Sequence, residues 1–229
     1  MILDNNYYRY ELKFHSEYSS LQDIKVMVKN NPFLFSENYQ QRWVNNIYFD
    51  TLELSNYYDS IMGINKKIKV RIRWYGQLFS LIEKPILELK KKVGIVGKKE
   101  LFILPTFVMD THTDINPFKQ LLQNSELPET IKYFMKELSP VLFIRYKRRY
   151  YRSANKNFRI TIDNELSFSG YNFKSHSILN KYSDDSQIIL ELKYKHTLHD
   201  YAHMITNYFP FRITKFSKYV MCMNKTLNV

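Results

Sequence analysis

The residues best equipped for chemistry in this chain are basic, and they recur at alternate positions. Lys69, Arg71 and Arg73 stand two apart within Ile68-Lys69-Val70-Arg71-Ile72-Arg73-Trp74. Alternate side chains of a strand share a face, so these three cations point one way and Ile68, Val70, Ile72 and Trp74 the other. The same split returns elsewhere. Glu88, Lys90 and Lys92 oppose Leu87 and Leu89, and Arg145, Lys147 and Arg149 oppose Ile144 and Tyr146. Arg159, Thr161 and Asp163 oppose Phe158, Ile160 and Ile162, while Glu191, Lys193 and Lys195 oppose Leu190, Leu192 and Tyr194. Near the start, Arg9, Glu11 and Lys13 oppose Tyr8, Tyr10 and Leu12. Rows of guanidinium and ammonium groups suit a chain of phosphates, gripped by arginine forks and lysine point charges.

A solvated outer face explains one such strand. Six of them, each with an apolar face that helices could cover, predict that the charged faces line the inside of a closed barrel. Like charges repel in such an interior unless carboxylates or a polyanion neutralise them. Glu11, Glu88, Asp163 and Glu191 sit in different strands. That spread suits partial compensation together with a divalent cation held by carboxylate oxygens.

The elements that must position these residues are legible from periodicity. A period of two predicts strands over residues 7–14, 42–49, 68–74, 86–92, 142–151, 158–163 and 188–195, with weaker strands at 100–104 and 171–179. Helical spacing and stop signals predict helices over 16–29, 51–61, 116–123, 129–138, 197–208 and 215–227. No repeat, charge block or Gly/Ser linker divides the chain, so residues 1–229 read as a single α+β domain, many strands with peripheral helices.

Composition narrows the class. The chain has 229 residues, and 34 Lys plus Arg outnumber 22 Asp plus Glu to give a net charge of +12, which points to anionic partners. A single cysteine, Cys222, excludes an intramolecular disulfide framework and a Cys-cluster zinc site. No apolar run reaches the roughly 20 residues of a membrane span, and the N-terminus lacks a signal-peptide pattern, so a cytoplasmic protein is expected. His199 and His203 are four apart without the glutamate of an H-E-x-x-H site or a third ligand, and surface or packing histidines are the better reading. The 19 tyrosines beside many cations would fit a nucleic-acid binder, but those on the apolar strand faces read as packing, so no nucleic-acid partner is expected. Glycines at 63, 76, 94, 97 and 170 form no phosphate-cradling loop, which leaves phosphates to side chains.

Taken in order, the motifs resemble a known family. Arg9-Tyr10-Glu11-Leu12-Lys13 is similar to the R-x-E-x-K opening of VTC domains. These are the catalytic domains of the vacuolar transporter chaperone complex, with bacterial relatives, in the triphosphate tunnel metalloenzyme superfamily. Tyr48-Phe49-Asp50-Thr51, Lys69 to Tyr75, Glu88-Leu89-Lys90, Arg145-Tyr146-Lys147-Arg148, Arg159 to Asp163, Glu191-Leu192-Lys193 and Lys215-Phe216-Ser217-Lys218-Tyr219 resemble the segments that follow. Arg9 stands where the CYTH branch has the first glutamate of E-x-E-x-K, which favours the VTC branch.

The resemblance implies an antiparallel eight-stranded β-barrel tunnel with a charged interior. It implies a polyphosphate polymerase that moves the γ-phosphoryl of ATP onto a growing polyphosphate chain, with pyrophosphate or polyphosphate as acceptor. A divalent metal is implied, manganese first and magnesium second. By position, Arg71, Arg73, Lys90, Arg145 and Arg159 are implied as catalytic phosphate grips. Lys13, Lys98, Lys193, Lys215 and Lys218 are implied as further phosphate ligands, with Lys99 the alternative register for Lys98. Glu191, with Glu11 and Glu88 beside it, is implied as the metal ligand. Lys215 and Lys218 are expected on one helical face, closing one end of the tunnel. A membrane-protein partner for export of the product, a metal-dependent triphosphatase activity, and a non-catalytic polyphosphate-binding role stay open at this point.

Overall fold

A computed structural model describes residues 9–16, 19–93, 96–109, 116–172 and 177–227. The strands are β1 (Arg9–Ser16), β2 (Ser36–Asp50), β3 (Lys66–Tyr75), β4 (Ser80–Ile82), β5 (Ile86–Val93), β6 (Val96–Ile103), β7 (Phe107–Met109), β8 (Ser139–Arg152), β9 (Arg159–Asn172), β10 (Ser177–Asp184) and β11 (Ile188–Lys195). The helices are α1 (Leu21–Lys29), α2 (Ser55–Ile61), α3 (Asn116–Gln123), α4 (Glu129–Lys136), α5 (His199–Thr206) and α6 (Lys218–Leu227). Residues 7–8 of the expected first strand, 17–18 of the first expected helix and 173–176 of the weak 171–179 strand lie outside the described residues. So does the side chain of Arg9.

Eight antiparallel strands follow one another in the order β1-β11-β9-β8-β2-β3-β5-β6, and β10 joins the far half of β9. The sheet curls into a half-barrel, the fold expected from the charged strands. Among the described residues no backbone pairing joins its two ends. Side chains bridge the gap instead, from β1 to the last strand but one, with Lys90 Nζ of β5 3.4 Å from Glu11 Oε2.

The curl follows from where apolar surface can be covered. On the convex side, Ile47, Val70, Ile72, Trp74, Leu87 and Leu89 pack with Phe118, Leu121 and Met135 of α3 and α4. A second convex core joins Ile160, Ile162, Leu190, Leu192 and Tyr194 to Ile24 and Val28 of α1 and to Ala202 and Ile205 of α5. Ser20 starts α1 with a reciprocal capping box to Asp23, which is why that helix begins later than the expected residue 16.

Among the described residues the concave side has a cover at one end only. There Tyr48, Ile144, Tyr146, Leu166 and Phe168 pack under Tyr219, Cys222 and Met223 of α6. Glu165, at a left-handed φ of 50°, marks the irregularity in β9 where its edge partner changes from β11 to β10. The expected 171–179 strand is thus the end of β9 and the start of β10. No helix of the described residues is long and apolar enough to cross a membrane.

Candidate active site

The concave face carries the charge. Arg71 and Glu88 are register partners across β3 and β5, and their side chains meet, with Arg71 Nη2 2.7 Å and Nε 2.8 Å from Glu88 Oε2. The other oxygen of Glu88 takes Arg73 at 2.7 Å and Lys99 at 2.8 Å. Glu88 is 2% exposed. Burial alone would raise its pKa, but Arg71, Arg73 and Lys99 outweigh that and hold it well below the usual carboxylate range. Glu88 therefore works as a fixed anchor that aims two guanidiniums and one ammonium. Glu88, expected beside Glu191 as a metal ligand, has both oxygens engaged by cations, as Glu11 and Glu191 also do.

A second knot lies on β8, β9 and β11. Arg148 reaches Asp163 with Nε at 2.5 Å and Nη2 at 2.6 Å, and Glu191 with Nη2 at 3.3 Å. Lys218, at the first position of α6, is ion-paired with Asp163 and lies 3.6 Å from Glu191. Its ammonium also sits 4.7 Å from the centre of the Tyr146 ring. Burial works against the charge on Lys218, yet Asp163 and Glu191 win and raise its pKa. Lys193 completes the knot, 2.6 Å from Glu191 Oε2.

Lys13 of β1 joins the acids of the first and last strands. Its Nζ is 3.2 Å from Glu11 and 3.9 Å from Glu191, and it donates to the carbonyl of Phe216 at 3.0 Å. Burial and Glu191 push the Glu11 carboxyl up, while Lys193, Lys13 and Lys90 pull it down, to about 2. The segment ahead of α6 crosses the concave face here. Thr214 N–H donates to the Lys13 carbonyl at 2.8 Å, and Ser217 Oγ accepts from Lys69 Nζ at 2.8 Å. Lys69 is half-buried among Lys13, Lys90, Lys67 and Lys92, and desolvation and then those charges lower its pKa to about 7.

These contacts place the expected residues. Arg71, Arg73, Lys90, Lys13, Lys193, Lys218, Glu11, Glu88 and Glu191 share the concave face. Arg159 lies on the same side of β9 as Thr161 and Asp163, at the open end and exposed.

Arg145 does not join them. Its guanidinium stacks 4.0 Å from the Trp43 ring on the opposite side of β8 from Arg148. On β8 it is Ile144 and Tyr146 that face the concave side, because α6 supplies them with an apolar cover there. In Arg145-Tyr146-Lys147-Arg148 it is Arg148 that faces the concave side. Lys98 is also corrected: it pairs with Glu100 at 3.4 Å, away from Glu88, while Lys99 points inward. Lys215 is exposed and precedes α6, so the expected shared helical face with Lys218 is corrected too; Lys215 borders the covered end from a loop.

Sequence reasoning missed the structural parts of the site. Tyr48 accepts from Arg71 Nη1 at 3.0 Å and stacks on Tyr219 at 5.0 Å. Asp50 accepts backbone N–H bonds from Thr51, Asn56 and Tyr57 and the Tyr219 hydroxyl. The Asp-Thr step before a helix was the available signal for Asp50.

The concave face thus presents Lys13, Lys69, Arg71, Arg73, Lys90, Lys99, Arg148, Lys193 and Lys218 against Glu11, Glu88, Asp163 and Glu191. The acids hold the cations in place, and the cations outnumber them. The VTC family model matches residues 8–227. The chain belongs to the VTC domain family.

Solved structures share the tunnel fold of this VTC domain. A protein from Hippeastrum, described as an adenylyl cyclase with a dominant triphosphatase activity, has a TM-score of 0.55 at 15% identity, covering 96% of each chain. A Vibrio parahaemolyticus protein described as an adenylate cyclase has a TM-score of 0.53 at 10% identity, covering 94% of this chain and 98% of that one. Such identities establish fold alone. A search of curated proteins found no match. The family model and these neighbours agree on one tunnel fold.

Two carboxylates approach one another across a cation on the concave face. Glu11 and Glu191 share the ammonium of Lys13 between them, so a positive charge already stands where two carboxylates converge. Among the described residues no three carboxylate, imidazole or thiol groups cluster, so phosphate oxygens would have to complete the coordination.

Proposed function

We propose that this VTC domain is a polyphosphate polymerase. The observation that carries the reading is the unbroken row of held cations along the concave face, from Arg73 to Lys69 on β3 and from Lys193 across to Lys13. A row that long suits several phosphates at once, not one phosphoryl group.

Phosphoryl transfer asks the protein for in-line positioning and for stabilisation of charge on the equatorial oxygens. A terminal oxygen of the polyphosphate attacks the γ-phosphorus of ATP. The new P–O bond forms as the bond to the β,γ-bridging oxygen breaks, and ADP leaves with the electron pair. The attacking oxygen is already ionised, so no serine, cysteine or histidine is needed. Arg71 and Arg73, fixed by Glu88, hold one stretch of phosphates, with Lys90 and Lys99 beside them. Arg148, Lys193 and Lys218 hold the other, and Arg159 meets the ligand at the open end. Lys215 borders the opposite end. Glu11 and Glu191 would hold a divalent cation, manganese or magnesium, which supplies charge neutralisation between neighbouring phosphoryl groups.

The test is incubation with γ-labelled ATP and manganese, seeded with pyrophosphate, and separation of the products on a gel. A ladder of lengthening chains with matching ADP is expected. Orthophosphate without chain growth would replace the polymerase by a triphosphatase. Binding without ATP consumption would leave a polyphosphate-binding module.

A further inference from the structure

The covered end of the tunnel is closed by α6 and the segment before it; the opposite end carries a cluster of aromatic rings that phosphate binding does not require. Arg42 of β2, Tyr75 of β3 and Tyr150 of β8 lie on the concave side, since Arg42 is the register partner of Arg148 and Tyr75 that of Val44. The Arg42 guanidinium lies 4.0 Å from the Tyr75 ring centre, 4.8 Å from that of Tyr150 and 5.7 Å from that of Tyr39. Its Nε donates to the Tyr150 hydroxyl at 3.2 Å, and Tyr39 meets Tyr150 edge-on at 5.7 Å. Tyr39 and Tyr75 are exposed.

Two features separate this cluster from surface packing. Three tyrosines stand open to solvent or half-open at the end opposite α6, packed on Arg42 and on one another and outside every hydrophobic core. The cluster also abuts the phosphate row directly, with the Arg73 guanidinium 5.3 Å from the Tyr75 ring centre. A triphosphate gripped by Arg73 therefore has its remaining end beside a set of planar π faces and a planar cation.

We propose that Tyr75, Tyr150 and Arg42 form a nucleobase platform at the open mouth, which selects a nucleoside triphosphate over an inorganic triphosphate by stacking. This rests on the reading of the concave face as a triphosphate site and deepens it by naming the residues of this chain that meet the base. Stacking tolerates any base because every base has a π face, so the platform favours nucleotides in general over bare phosphate chains. The arginine adds a cation–π contribution and a charge toward the α-phosphate.

The experiment compares ATP with inorganic tripolyphosphate on the whole chain. Binding of 1,N6-ethenoadenosine triphosphate is read by the quenching of its base fluorescence, and both unlabelled ligands are then measured by competition. Tyr75→Ala is expected to weaken ATP about tenfold and to leave tripolyphosphate within about twofold. Arg42→Ala is expected to act in the same direction, and Tyr75→Phe to keep wild-type affinity because the ring is retained. Unaltered tripolyphosphate binding shows that each variant is folded with Arg73 in place. Parallel weakening of both ligands, equal ATP affinity in Tyr75→Ala and wild type, or bound ethenoadenine that stays unquenched would overturn the platform alone. A wild-type protein that binds neither triphosphate would overturn the tunnel reading and the platform with it.

Discussion

Arg148 and Asp163 are joined by two parallel hydrogen bonds, 2.5 and 2.6 Å long, on the concave side of neighbouring strands. Asp163 is fully buried, and Lys218 also pairs with it. Removing the guanidinium leaves Asp163 and Glu191 short of positive charge in a site screened from water. Arg148→Met is therefore expected to lower stability by about 3 kcal/mol, the range for breaking a buried pair. It is expected to bring phosphoryl transfer to background. Arg145→Met, on the far side of the sheet against Trp43, is expected to change turnover by less than about twofold. Denaturant titration and an ATP turnover assay on both variants check this, and a reversed order of effects would return the phosphate grip to Arg145.

Neighbouring lysines on β6 make a second contrast. Lys99 bonds to Glu88 at 2.8 Å, and burial, offset in part by Glu88, lowers its pKa to about 8. Lys98 is largely exposed and faces Glu100 instead. Lys99→Gln is expected to weaken tripolyphosphate about tenfold, the scale of one lost bond to a charged group. Lys98→Gln is expected to stay near wild type, as exposed ion pairs contribute little. Competition binding at a single ionic strength measures both. A weaker Lys98→Gln beside an unchanged Lys99→Gln would put the inward register one residue earlier.

These contrasts mark how far sequence alone could go. The strands were legible because β3, β5, β9 and β11 each bury one face against a convex core, so that period two maps directly onto inside and outside. β8 broke the mapping. Its Tyr146 looks like a core residue and is one, but the core it joins is the cap under α6 on the concave side. Periodicity reports that a face is covered and not which side the cover lies on, so the inward set on β8 was inverted. The clamps were legible as charges on a face; their pairing was not. Nothing in the spacing of Glu88 says that three cations converge on it, because all three arrive from other strands, two from β3 and one from β6. The short strands β4 and β7 escaped notice because three residues are too few to show a period.

The lysine cluster at the covered end predicts a pH dependence. Lys69 has a pKa of about 7 in the folded chain against an ordinary 10.5, through burial and then the charges of Lys13, Lys90, Lys67 and Lys92 around it. Between those values the unfolded chain holds a proton that the folded chain lacks. The unligated fold therefore gains stability from this group as pH rises through that window. A bound polyphosphate favours the ammonium and draws the proton back. Affinity for tripolyphosphate is accordingly expected to fall about tenfold between about pH 7 and 9, with proton uptake on binding. Titration calorimetry in two buffers of different ionisation heat measures the uptake. Lys69→Met is expected to remove part of the slope, and Lys99 accounts for a further part. Flat affinity across that range, or equal slopes in Lys69→Met and wild type, would show that Lys69 does not charge on binding.

Arg71 is held from behind by a chain of contacts that starts outside the tunnel. Asp50 lies under the N-terminus of α2, whose own N-cap, Leu54, has no side chain able to cap. The Asp50 carboxylate substitutes for it, accepting from Asn56 N–H at 2.9 Å and Tyr57 N–H at 3.0 Å. Its Oδ2 also takes the Tyr219 hydroxyl, Tyr219 stacks on Tyr48, and Tyr48 accepts from Arg71. Asp50→Ala strands two buried backbone donors and one phenol at once. It is expected to lower stability by roughly 3 kcal/mol and to weaken tripolyphosphate through a looser Arg71. Tyr219→Phe removes only the phenol donor while keeping the ring stack, so about 1 kcal/mol and near-normal binding are expected. Denaturant melts paired with binding assays separate the two steps. If Asp50→Ala melted like wild type, the carboxylate would not be what carries α2, and if Tyr219→Phe lost binding as severely as Asp50→Ala, the ring stack would not be the link that steadies Arg71.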